Sequence, residues 1–317
     1  MTNVAAEALV GDAAAAASPT GRRSPKPPIA TWRKRERRIG LLAVLPAVLV
    51  VAAVMLYPIG FALWLSLNKT NGIKYEFRGL RNYTDLLTDP LLWQVVSNNI
   101  KFLISVPLVI TAALCTSVLL FEKIRGWRYF RVIFFLPSVL STAVVGLLFR
   151  SLFGYNGVVN SAVVAAGGQP IEFFTEANLA ITVIVMALVW SGFGYQSLLL
   201  LSGLTAIDPA VFEAAMLDGA GWWKRIWYIT LPNIRRTIGF VFIINVLYTF
   251  TSLFGFVFVM TAGGPGYDTT TVDYLIYLKA FGGASIGSGA ALAVMLFILV
   301  GALTFAQNKV FRIGDDD

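Results

Sequence analysis

Six apolar runs, at about 40–66, 99–121, 132–153, 179–203, 237–261 and 287–307, alternate with polar segments along the chain. An α-helix needs ~20 apolar residues to cross a bilayer. The pattern therefore predicts an all-α, polytopic membrane protein with six transmembrane helices. The second and third runs are separated only by EKIRGWRYFR (Glu122–Arg131), which predicts a tight helical hairpin. The segment at about 68–98 contains FRGLRNYTDLLTDPLLWQ and reads as an amphipathic cap with turn residues, not a separate fold. Residues 1–38 are rich in Ala, Pro, Ser and Gly and end in WRKRERR (Trp32–Arg38). They read as a disordered basic tail without the apolar core of a signal peptide. The membrane domain is then 39–312, and 313–317 is an acidic C-terminal tail.

Composition agrees with the pattern. Charged residues are 13% of the chain and mean hydropathy is +0.74, against ~25% charged in soluble domains. Charge then sets orientation, because Lys and Arg are retained on the cytoplasmic side. With the N-terminus inside, 18 of the 25 Lys and Arg residues fall in cytoplasmic pieces. Both termini and the segment 204–236 are accordingly expected in the cytoplasm. This distribution also turns the net charge of +8 into a topology signal and argues against a nucleic-acid partner.

Several chemistries are excluded. The chain has no histidine, which removes the commonest general base and metal ligand. Its one cysteine, Cys115, cannot form an internal disulfide. No phosphate loop of the GxxxxGK[ST] type is present, and GGASIGSGA lacks the lysine. None of the six runs contains Asp or Glu, and Lys101 and Arg150 lie near run ends where they can snorkel. Ion-coupled transporters usually keep ionisable groups at membrane depth. The chain reads as a non-catalytic transport subunit with no metal or cofactor of its own, dependent on a partner for energy.

The stretch EAAMLDGAGWWKRIWYITLP (Glu213–Pro232) is polar and glycine-hinged between two apolar runs. Asp208-Pro209 is a helix-start signal. Val211, Phe212, Ala215 and Met216 share one face, and Gly219 is suited to end the helix. A second short helix then runs to Leu231-Pro232. On physical grounds this pair is either an interfacial loop or a knob that docks on another protein. In the second case Ala214, Ala215 and Gly219 keep it thin and Glu213 meets a partner group.

The spacing Glu213-Ala214-Ala215, three residues, Gly219, nine residues, Ile229, one residue, Leu231-Pro232 resembles the EAA signature of inner-membrane permeases of binding-protein-dependent ABC importers. The similarity spans about Leu41 to Arg312. FRGLRNYTDLL, FFLPSVLSTAVVGLLFRSLF, GYNGVVNSAV and TAGGPGYDTTTVDYLIYLKAF resemble the carbohydrate-uptake branch, most of all the maltose-permease type that carries Gly263-Gly264-Pro265. The resemblance implies a type I importer permease fold in a bacterial cytoplasmic membrane. It implies a second homologous permease, two cytoplasmic ATPase subunits that bind ATP and Mg, and an extracytoplasmic solute-binding protein. It also places Glu213, Ala214, Ala215, Asp218, Gly219, Leu231 and Pro232 on the loop that seats in the ATPase.

A sugar path needs hydrogen-bonding and aromatic groups. Asn245, Tyr248, Thr249 and Ser252 follow i, i+3, i+4, i+7 spacing, and Tyr195, Gln196 and Trp190 lie in the fourth run. These groups either contact solute or join helices through interhelical hydrogen bonds. By resemblance, sugar-contacting positions fall near Gln196 and over Thr249, Phe250, Ser252 and Leu253, although the side chains here depart from the family pattern. A sugar is the expected solute. The alternatives are glycerol-phosphate or another polar non-sugar on the same architecture, and an ion-coupled secondary transporter.

Overall fold

The computed structural model describes residues 29–283 and 285–312. The expectations for 1–28 and 313–317 lie outside the described residues. The described chain is helical apart from one small sheet, in the order α1 (Ile29–Val51), α2 (Tyr57–Ser66), β1 (Asn68–Thr70), β2 (Tyr75–Phe77), α3 (Arg81–Thr88), α4 (Pro90–Phe102), α5 (Ser105–Phe121), α6 (Trp127–Val139), α7 (Thr142–Phe153), α8 (Val158–Ala165), α9 (Ala177–Thr205), α10 (Pro209–Leu217), α11 (Trp222–Arg225), α12 (Leu231–Asn233), α13 (Arg235–Thr251), α14 (Phe254–Met260), α15 (Val272–Tyr277) and α16 (Ile286–Arg312). It divides into two compact units, one ending at Tyr57 and one beginning at Pro58. In the first unit, Ile29–Arg38 is already helical, where the sequence reading placed the end of a disordered tail. Its Arg, Lys and Glu residues are good helix formers.

Five helical stretches are long and apolar enough to cross a membrane: Leu42–Ser66, Pro90–Phe121, Thr142–Ala165, Ala177–Thr205 and Ile286–Gln307. The pair Trp222–Asn233 and Arg235–Thr251 passes the same test only when taken together, and it is bent by 69° at the break between them. Two expected spans are broken. The run 132–153 stops at Val139 and restarts at Thr142. Pro137 has no N–H to give the preceding turn, and the Ser141 hydroxyl caps α7 by accepting from Val144 N at 3.4 Å. The run 237–261 stops at Thr251 and restarts at Phe254. No proline or glycine marks that break, and its cause lies elsewhere in the chain.

The chain is all-α as expected apart from one addition among the described residues, the short β1–β2 hairpin, antiparallel with Asn68 opposite Phe77 and Thr70 opposite Tyr75. The Asn71 side chain accepts from the amides of Ile73 and Lys74, both at 3.1 Å, and Gly72 has φ +92°. Asn-Gly is a strong hairpin turn signal. Asn82, at the start of α3, fastens the hairpin by donating to the Ser66 and Asn68 carbonyls at 2.8 and 2.9 Å.

Three buried apolar clusters hold the second unit. One joins Phe102, Phe149, Ile184, Leu253, Phe256 and Tyr274. Another joins Leu86, Val95, Leu275 and Leu292, and the third joins Ile110, Leu200, Val241 and Phe250. Lipid tails are as apolar as these side chains, so close packing must hold the helices together. Small residues sit where it is closest. A Cβ on Gly194 of α9 would lie 2.1 Å from the Phe134 carbonyl oxygen of α6. A Cβ on Gly255 of α14 would lie 2.3 Å from Thr142 Oγ1 of α7. The two broken runs thus meet side by side, and Arg150 ties them further by donating to the Val259 carbonyl at 2.8 Å.

Candidate functional site

The breaks border a cavity of about 400 Å³, within the range of small-molecule sites. Its walls come from α5 (Ser105, Val109), the α6–α7 break (Ser138, Leu140, Ser141, Thr142), α9 (Leu188, Ser191, Gly192, Tyr195, Gln196), α13 (Ile244, Asn245, Tyr248, Thr249) and Phe256 of α14. Five of the eight expected path residues therefore meet in one place: Tyr195, Gln196, Asn245, Tyr248 and Thr249. The other three do not line it. Phe250 is buried on the opposite face of α13 against Val106 and Leu200. Leu253 is buried in the core with Phe256 and Val257. Ser252 lies past the end of α13 at φ −138°, so helical spacing no longer carries it to the Asn245 face.

Sequence reasoning missed Ser105, Ser138, Ser141, Thr142 and Ser191. A usable signal was PSVLST (Pro137–Thr142), a proline followed by hydroxyl residues able to cap a new helix.

The hydrogen bonding of the lining has a consistent direction. Ser105 donates to the Phe102 carbonyl, Ser138 to Phe135, Ser191 to Ala187 and Thr249 to Asn245, all between 2.7 and 2.9 Å. The Asn245 amide donates to the Val241 carbonyl at 2.8 Å. Apart from Ser105, whose acceptor Phe102 ends the preceding helix α4, these donors are used within their own helices. Their oxygen lone pairs remain for the cavity. Gln196 is 6% exposed, and its Oε1 has no hydrogen-bond partner. A buried acceptor without a donor is costly. No charged side chain lines the cavity. Among the described residues, no group of three His, Cys, Asp or Glu side chains is placed to hold a metal ion.

The second feature is the element from Asp208 to Asn233. Asp208 caps α10 by accepting from Ala210 N at 2.9 Å. At the other end, Ala220 N donates to the Ala215 carbonyl and Gly219 N to the Met216 carbonyl, at 2.9 and 3.1 Å. That pair of bonds needs a left-handed residue, and Gly219 has φ +74°. Asp218 is the exposed C-terminal cap of α10. Only part of the expected apolar face packs. Ala215 is buried and the Phe212 ring lies 5.6 Å from Phe121, whereas Val211, Met216 and Leu217 are exposed. Trp222 Nε1 donates to Glu122, so the element rests on the hairpin between α5 and α6.

The second helix was expected to end at Leu231-Pro232, but it continues to Asn233 and breaks at Ile234. A widened turn makes room for the proline. Leu231 N bonds the Ile226 carbonyl five residues back, and Pro232 has no N–H to place. Trp223, Trp227 and Tyr228 are exposed along it. Glu213 is exposed on α10 beside exposed Ala214 and has no hydrogen bond or ion pair among the described residues.

A long run of bent and broken helices around a charge-free cavity, with an exposed helix pair at one end, defines a membrane transport subunit. The family model described as binding-protein-dependent transport system inner membrane component matches residues 110–312. The chain belongs to that family. It is 35% identical over 280 residues to a lactose transport system permease protein of Rhizobium radiobacter, covering 86% of this chain and 94% of that protein. It is 30% identical to a trehalose/maltose transport system permease protein of Thermococcus litoralis, covering 89% and 96%. It is 31% identical to an sn-glycerol-3-phosphate transport system permease protein of Escherichia coli (strain UTI89 / UPEC), covering 87% and 94%. Its fold matches a chain of a bacterial ABC transporter involved in import of the acidic polysaccharide alginate, with a TM-score of 0.77 at 21% identity over 90% of this chain and 99% of that one.

Proposed function

We propose that this chain is one permease half of an ATP-driven importer for a neutral, hydroxyl-rich solute of the sugar class. The observation that carries the choice of solute is the uncharged cavity lined by hydroxyl, phenol and amide groups. Sugar hydroxyls can meet the free lone pairs of Ser105, Ser138, Ser191 and Thr249. A phosphate group at neutral pH would find no counter-charge among the lining side chains. This favours a sugar over the glycerol-phosphate alternative, although relatives at 29–31% identity are sn-glycerol-3-phosphate permeases. A second permease would supply the other wall of the path, and an extracytoplasmic binding protein would deliver the solute.

Energy would enter through Asp208–Asn233. Its orientation toward the cytoplasm rests on the 18 of 25 basic residues assigned to that side. Glu213, Ala214, Ala215, Asp218, Gly219, Leu231 and Pro232 would form the surface received by a partner ATPase, which holds ATP and Mg. An unpaired Glu213 on a thin, rigidly capped helix is suited to a polar group in a cleft. Closure of the ATPase dimer would pull this element and bias the permease between inward- and outward-open states. ATPase stimulation in the purified assembly, across neutral mono-, di- and trisaccharides and phosphorylated polyols, tests the solute class. Stimulation by a neutral sugar is expected, and stimulation confined to phosphorylated solutes would overturn it.

A further inference from the structure

The break between α13 and α14 has no proline, yet side chains take up backbone groups on both sides of it. In an unbroken helix Leu253 N–H would bond the Thr249 carbonyl. Here Asn99 of α4 takes that carbonyl, donating from Nδ2 at 2.8 Å, while its Oδ1 accepts from Val272 N at 2.9 Å. Asp273 takes an amide on the other side. Its Oδ2 accepts from Phe254 N at 2.6 Å. Its Oδ1 accepts from Tyr274 N at 2.9 Å and from the Thr271 hydroxyl at 2.5 Å. Asn99 is fully buried. In a low-dielectric setting a backbone group left without a partner is expensive, so side chains that supply partners decide whether a helix breaks.

We propose that Asn99 and Asp273 are positioning residues that splice the fifth apolar run open and thereby set the shape of the cavity. Asn245, Tyr248 and Thr249 approach the cavity from before the break and Phe256 from after it. If the run closed into one helix, these two sets would turn relative to each other. All three groups on Asp273 are donors, so Asp273→Asn, although isosteric, turns an amide N–H₂ toward at least one of them. Asp273→Glu keeps the acceptors and restores part of the effect.

The test uses the full chain in lipid nanodiscs, with amide hydrogen exchange read over residues 253–256. Asp273→Asn and Asn99→Leu are each expected to speed exchange there at least tenfold, with Ile286–Gln307 unchanged. The double variant goes little further, because both act on one break. Unchanged exchange at 253–256, or equal acceleration throughout the chain, would overturn the proposal. This arm needs no solute and decides the proposal alone. A second arm rests on the importer reading. With lactose and sn-glycerol 3-phosphate as probes of the assembled importer, Asp273→Asn raises KM at least tenfold for whichever probe the wild type takes up. Maximal rate per inserted protein stays within about twofold. Uptake that falls only with the amount of inserted protein contradicts a positioning role, and wild-type uptake of neither probe would count against the solute reading alone.

Discussion

Replacing Gly255 with alanine puts the contact between α7 and α14 beside the cavity under strain. The added Cβ would sit 2.3 Å from Thr142 Oγ1 and 3.0 Å from Thr142 Cβ. Rotating the threonine hydroxyl relieves the first contact but not the second, so α7 and α14 must move apart. They have little freedom to do so, since one turn further on a Cβ at Gly146 would already lie 3.3 Å from Val259. Overpacking of this kind costs about 1–3 kcal/mol. Thr142→Ala removes the hydroxyl and leaves only the Cβ contact, so it should recover at least ~1 kcal/mol of that loss when combined with Gly255→Ala. Unfolding of the purified chain in mixed micelles, measured for both single variants and the double, gives the coupling directly. Strictly additive effects, or a neutral Gly255→Ala, would refute the packing of these two helix starts described above.

Gly219→Val should weaken ATPase docking and uptake while leaving membrane insertion intact, because a β-branched residue is strained at φ +74°. Co-purification with the ATPase reads this, and normal docking and uptake would count against it. Gln196→Leu should leave stability nearly unchanged, since it removes an acceptor already without a partner. Lys279 donates to Asp89 at 2.8 Å, and this hydrogen bond holds the Asp89 carboxyl below its usual range. A depressed folded pKa adds stability above the unfolded pKa of ~3.9 that is lost as pH falls through the folded value. Asp89→Asn should therefore flatten the acid limb of the stability profile below about pH 4, with little change in its shape near pH 7.

Much of this architecture was legible in the sequence because a bilayer accepts few solutions. Apolar length locates spans, and the Asp208, Pro209 and Gly219 signals bound α10 closely. The cavity was legible where polar residues kept helical spacing, as with Asn245, Tyr248 and Thr249. It was not legible at Ser252, because spacing fails past a break made by Asn99 and Asp273, both distant in sequence. Phe250 and Leu253 were carried by resemblance alone, and burial in the core claims both. The hairpin was missed for the opposite reason. Asn71-Gly72 announces a turn, but its three-residue strands are too short to show alternation.

The central claim is that transport runs on a partner's ATP through Glu213. The direct measurement is solute uptake into vesicles holding the assembled importer, with and without enclosed ATP, for wild type and Glu213→Ala. The account predicts uptake that requires both ATP and the ATPase and falls at least tenfold in Glu213→Ala, with the variant fully inserted. Uptake that survives removal of the ATPase and follows an ion gradient, or that is normal in Glu213→Ala, would contradict it.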